Sequence, residues 1–111
     1  MKRFTPSLGL LRVCVSKLDA DMGWDPWFRV GAILFYETQG SEDGFALFDR
    51  WSSTGAKYKG RKDTWALWKS LRLDHPKPLK IGTLRYMLQR AGHDWDEILI
   101  EAQGASEEQG W

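Results

Sequence analysis

Ser41-Glu42-Asp43-Gly44-Phe45-Ala46-Leu47-Phe48-Asp49-Arg50-Trp51-Ser52 carries every signal of one short helix. The Ser41 hydroxyl is placed to cap the first turn, and the acids at 42 and 43 meet the positive end of the helix dipole. Phe45, Leu47, Phe48 and Trp51 make its buried side, and Ser52-Ser53-Thr54-Gly55 ends it. The same signals recur on both sides of this stretch. Upstream, Thr5-Pro6 predicts a helix with Thr5 as cap and Pro6 at the first position. Leu8, Leu11, Val15 and Leu18 form its apolar stripe. Asp25-Pro26 predicts a second start and Gly40 its stop. Trp27, Val30, Ile33 and Leu34 face inward between them, while Gly31 lets another helix approach closely.

Downstream, residues 56–62 read as a basic loop entering a fourth helix with Trp65, Leu67, Trp68 and Leu71 on one stripe. His75-Pro76-Lys77-Pro78 is extended, because each proline disfavours helix in the residue before it. Ile81, Leu84, Leu88 and Ala91 describe a fifth helix closed by Gly92, and Asp94-x-x-Glu97 predicts a capping box for a short sixth with Ile98 as its apolar contact. No period-2 pattern competes. The expectation is an all-α fold, a small bundle of five to six helices in one domain over residues 1–102, with 103–111 a solvated tail or linker.

The 111 residues suffice for one core. Apolar residues are 42% of the chain, seven of them Trp, too many for a disordered segment. No apolar run is long enough to span a bilayer. The basic start at Lys2 and Arg3 is followed by no leader-like segment. With the single Cys14, these features lead us to expect a cytoplasmic protein without disulfides, Cys14 being a small buried side chain on a helix rather than a reactive thiol.

A net charge of +1 hides a segregated distribution. Residues 50–90 hold eleven basic residues against Asp63 and Asp74, whereas residues 19–49 hold seven acidic against one basic and 91–111 hold six acidic and none basic. The basic middle fits two readings, a track for an anionic partner or a solvated face. Lys57, Lys59, Arg61 and Lys62 crowd its loop, Lys69, Arg72, Lys77 and Lys80 continue it, and Tyr58 lies among them, as in surfaces that stack unpaired bases. Trp65 and Trp68 read as core.

The chemistry of catalysis is missing from these patterns. His93, Asp94, Asp96 and Glu97 read as a helix start rather than a metal site, and His75 lacks neighbouring ligands. Phosphate-cradling and dinucleotide-binding glycine motifs are absent. Ser52 and Ser53 lack a base, and Asp19, Asp21 and Asp25 mark a helix end and the next cap. No catalytic residue, metal or cofactor is assigned.

Several motifs together resemble a known family. Trp27-Phe28-Arg29-Val30-Gly31-Ala32 resembles the start of the second helix of the domain called primase C-terminal 2. Trp51-Ser52 followed by Lys57-Tyr58 resembles its Trp-Ser … Lys-Tyr signature, Trp65 or Trp68 suits its next tryptophan, and Ile81-Gly82-Thr83-Leu84 with Ala91-Gly92 resembles its last helix. The resemblance runs from about residue 10 to residue 93. Phe48 stands where a tryptophan is common and Leu88 where a small residue is expected, both read as changes in core packing.

The resemblance implies a helical bundle that follows a primase–polymerase domain, often ahead of a helicase, in phages, plasmids and integrated mobile elements. It implies a role in DNA replication, holding single-stranded template for primer initiation, with ATP or another nucleotide as an optional further ligand. It also implies a piece of a longer protein, and a non-enzymatic accessory role. The expected nucleic-acid-binding residues are Lys57, Lys59, Arg61 and Lys62 for phosphates, Tyr58 for stacking, Lys69 and Arg72 as extensions of the basic surface, and Ser52 as a short polar group between two helices. The alternative is a protein-docking module linking primase to helicase or another replication protein. An autonomous nuclease or a sequence-specific regulator finds no supporting motif.

Overall fold

The computed structural model describes residues 5–109, with side chains through residue 104, so the basic start at Lys2 and Arg3 lies outside the described residues. Six helices follow one another: α1 (Leu8–Ser16), α2 (Trp24–Glu37), α3 (Glu42–Ser52), α4 (Arg61–Ser70), α5 (Ile81–Arg90) and α6 (Trp95–Gln109). No strand occurs among the described residues. The radius of gyration of 13.6 Å is that of one folded domain of this length.

α1 packs against α3, α5 and α6, most extensively against α6. It starts two residues later than Thr5-Pro6 predicts, because the Ser7 hydroxyl accepts from the Leu10 N–H at 3.1 Å while Pro6 is buried in front of that cap. The expected stripe is too narrow: Leu10, Val13 and Cys14 are buried with Leu11 and Val15, whereas Leu8 is partly exposed. Burial pushes the Cys14 thiol up to about 12, so it carries no thiolate at neutral pH.

α2 begins at Trp24 rather than after an Asp25 cap; Gly23 takes a φ of 108° at the turn, and Pro26 falls third in the helix. The displaced start is harmless, because none of the first four N–H groups has a partner within the helix. Gly40, two residues beyond the C-cap Thr38, donates to the Phe35 carbonyl at 2.8 Å and closes the end. α3 matches its expected cap, Ser41 Oγ accepting from the Gly44 N–H at 3.0 Å.

Phe48 sits at the centre of the core, fully buried, with ring centroids 5.2 Å from Trp27, 5.9 Å from Trp68 and 6.4 Å from Trp51. Gly31 makes this possible: a Cβ there would stand 2.9 Å from Phe48 Cζ. On α4 the buried residues are Thr64 and Trp68, four apart, while Trp65 keeps 46% exposure. The expectation that Trp65 belongs to the core therefore fails, since it lies one residue round the helix from the buried pair and rests edge-on against Phe45. α5 has no side-chain cap of its own; the Glu37 carboxylate at the end of α2 accepts from the Ile81 N–H at 2.7 Å.

The sixth helix is not short. It runs for 15 residues and takes in residues 103–109 of the segment expected to be a tail or linker. No proline interrupts it, and Ile98 and Ala102, one turn apart, are both buried. At its start Asp94 Oδ1 accepts from the Asp96 N–H at 2.9 Å, a local turn rather than the reach from Glu97 that a capping box requires. Lys17 and Glu101 join α1 to α6 by a 2.8 Å ion pair.

Candidate nucleic-acid interface

The loop between α3 and α4 is bound down by a residue far from it in sequence. Asp21, in the turn between α1 and α2, accepts from the N–H groups of Ala56 at 2.7 Å and Lys57 at 3.1 Å. Gly55 permits this approach, since a Cβ there would stand 2.6 Å from Asp21 Oδ1. The two amide bonds hold the Asp21 carboxyl below its ordinary 3.8. A carboxyl lowered by folding contributes stability that is present above its unfolded value and lost as pH falls through the folded one. The Ala56 and Lys57 amides should therefore hold their positions down to pH 3.8 and release only below it. An amide chemical-shift titration checks this, and a midpoint at or above the ordinary value would contradict the latch. Asp21→Ala should release the same two amides at neutral pH.

Tyr58 is fixed from the other side. Its hydroxyl donates to Asp49 Oδ1 at 2.8 Å, and the Thr64 hydroxyl donates to the same oxygen at 2.6 Å. The bond to the Asp49 carboxylate raises the Tyr58 phenol above its usual value. Ser52 is buried at the end of α3, where its hydroxyl accepts from Trp27 Nε1 at 2.9 Å. The polar group between two helices thus orients an indole.

These contacts enclose a cleft of about 320 Å³ between the α1–α2 turn, the end of α3 and the first turn of α4. Ser52, Lys57, Tyr58 and Lys59 line it, so four of the expected binding residues come together. Arg61 and Lys62 do not join them; they border a second depression. Lys69 is exposed further along α4, and Arg72, beyond the end of that helix, pairs with Asp74 at 3.0 Å, outside the cleft.

The cleft also contains a residue that the sequence reading did not select. Trp24 is 68% exposed and stacks on Phe28, with centroids 5.2 Å apart and planes 19° apart. Phe28 backs the indole, so a flat apolar plate is ready at the mouth of the cleft. Its signal in the sequence was an aromatic pair at i and i+4 outside the Trp27–Val30–Ile33–Leu34 stripe. Asp63 and Asp21 also line the cleft, so two acidic residues share it with the two lysines. Asp21 is already bound to the loop amides, and Asp63 lies in the first turn of α4, where the dipole favours an acid. Among the described residues, no cluster of three or more His, Cys, Asp or Glu side chains could hold a metal ion, and no helix is long and apolar enough to cross a membrane.

Residues 11–87 match the family described as Primase C terminal 2 (PriCT-2), a span that contains every residue lining the cleft. The chain is also similar to a protein named putative helicase 121R from Invertebrate iridescent virus 3, with 34% identity over 70 residues. That similarity covers 60% of this chain and 7% of the viral protein, so the chain spans a small part of the length of the relative it matches. No solved structure matches the chain.

Proposed function

The chain belongs to the Primase C terminal 2 family, and from that premise we propose that it is an accessory domain of a replicative DNA primase that holds single-stranded template during primer initiation. The observation that carries this reading is the exposed Trp24 plate, backed by Phe28, in one cleft with Lys57 and Lys59. An indole face stacks any base, and ammonium groups beside it neutralise phosphates by releasing counterions. Tyr58 supplies a ring in the cleft wall whose hydroxyl is occupied by Asp49. The domain performs no chemistry in this reading. It presents a strand to a neighbouring primase–polymerase domain, alongside a helicase, and ATP or another nucleotide is a candidate competitor for the same cleft.

Fluorescence anisotropy of labelled single-stranded DNA at several salt concentrations, with and without ATP, tests the proposal. A log–log salt slope of about −2 to −3 is expected for three or four phosphates. Lys57→Glu with Lys59→Glu should weaken binding on all sequences and flatten the slope by about 1.4 if two phosphate contacts are lost. An unchanged slope would remove those lysines from the site. Exposed Tyr86 on α5 and Leu99 and Ile100 on α6 favour the second reading, a docking module for helicase or another replication protein. No strand binding at low salt, together with capture of a replication partner in the absence of DNA, would establish that second reading instead.

A further inference from the structure

Arg61 and Lys62 miss the cleft because α4 begins at Arg61, and each helical residue turns the side chain by about 100°. On the opposite flank of that first turn they border a second depression with Phe45 and Trp65. Its floor is firmly held. Phe45 is buried, its ring centroid lies 5.9 Å from Trp68, and Trp65 packs edge-on against it at 4.9 Å and 75°. The Arg61 guanidinium lies 5.0 Å from the centroid of the same Phe45 ring. Nearly half of Trp65 faces solvent.

The start of α4 therefore carries the same set of groups on both flanks: Trp24 with Lys57 and Lys59 on one, Trp65 with Arg61 and Lys62 on the other. The carboxylates of Glu42 and Asp43 beside the second set lie in the first turn of α3, where they meet the positive end of the helix dipole. Between the flanks is Gly60, with open space where a side chain would stand. Two indoles separated by cations suit a chain that alternates bases and phosphates better than an apolar protein surface, which favours a continuous apolar patch.

We infer that Trp65 is a second base platform, and that one single strand crosses the start of α4 with one base stacked on Trp24 and another, several nucleotides further along, stacked on Trp65. The inference rests on reading the cleft as a strand site. It is tested by anisotropy titrations with oligothymidine of about four and about twelve nucleotides, lengths within the range that one small domain accommodates. Trp24→Ala should weaken both lengths, whereas Trp65→Ala should weaken the longer one by about tenfold and leave the shorter one unchanged. If Trp65→Ala binds the longer strand as the parent does while Trp24→Ala is impaired, the second platform is wrong and the cleft reading stands. If neither substitution matters, both are wrong. Should Trp65→Ala melt at a lower temperature through lost packing on Phe45, the exposed pair Arg61→Ala and Lys62→Ala carries the test. That pair should likewise lose affinity for the longer strand alone, and binding of both lengths as in the parent would overturn the inference.

Discussion

Phe48→Ala is expected to cost about 3–5 kcal/mol, a large part of the total stability of an ordinary domain. The ring is fully buried, and three tryptophans from three helices pack around it: Trp27 of α2, Trp51 of α3 and Trp68 of α4. Removing it leaves a cavity walled by indoles, whose rigid planes collapse poorly into the space. Urea denaturation measures the loss, and a cost below about 1.5 kcal/mol would show that the indoles repack and that Phe48 is not the keystone. Gly31 supplies an internal control. Gly31→Ala alone presses a methyl group against Phe48 Cζ at 2.9 Å, so it should destabilise the parent. In the Phe48→Ala background the same methyl group enters the vacated space, and its cost should shrink or change sign.

The helical architecture was legible because its signals are local. Ser41 caps α3 and Gly40 follows the end of α2, each within a few residues of the helix it bounds. Gly92 follows α5 in the same way, and its φ of 92° is a conformation that side chains disfavour. Where two local signals competed, tertiary packing decided. Thr5 and Ser7 both offer capping hydroxyls, and the start that buries Pro6 prevailed. Thr64 and Trp65 compete for the core side of α4, and the smaller, more polar threonine occupies it because its hydroxyl has the Asp49 carboxylate to reach.

The site was legible only where the chain itself brings groups together. Ser52, Lys57, Tyr58 and Lys59 fall within eight consecutive residues and stay neighbours in the cleft. Asp21, in the turn before α2, and Trp24, the first residue of α2, lie more than thirty residues upstream of Lys57, and the loop amides reach Asp21 by hydrogen bonds that no periodicity encodes. A cluster of cations in sequence also says nothing about sides. Lys57 and Lys59 precede the start of α4, Arg61 and Lys62 lie within its first turn, and that boundary sends the two pairs to different depressions.

Glu37→Ala is expected to cost about 2–3 kcal/mol, because it removes a charged acceptor and leaves a partly buried N–H without one. Glu37 is 5% exposed at the last residue of α2, and its Oε2 accepts from the Ile81 N–H at 2.7 Å. The preceding segment carries two prolines and ends at Lys80, which offers no side-chain cap, so this carboxylate from another helix acts as the cap of α5. It also places negative charge at the positive end of the α5 dipole. Glu37→Gln keeps an oxygen acceptor while losing the charge, and should cost about 1 kcal/mol less than the full loss, or better. Equal costs for the two substitutions in urea denaturation would show that packing rather than the cap matters. The cleft is built from the α1–α2 turn, the first residues of α2, the end of α3 and the start of α4, at the opposite end of α2 from Glu37. At temperatures where Glu37→Ala is still folded, its affinity for single-stranded DNA should therefore equal that of the parent, so that stability and binding separate cleanly at this residue.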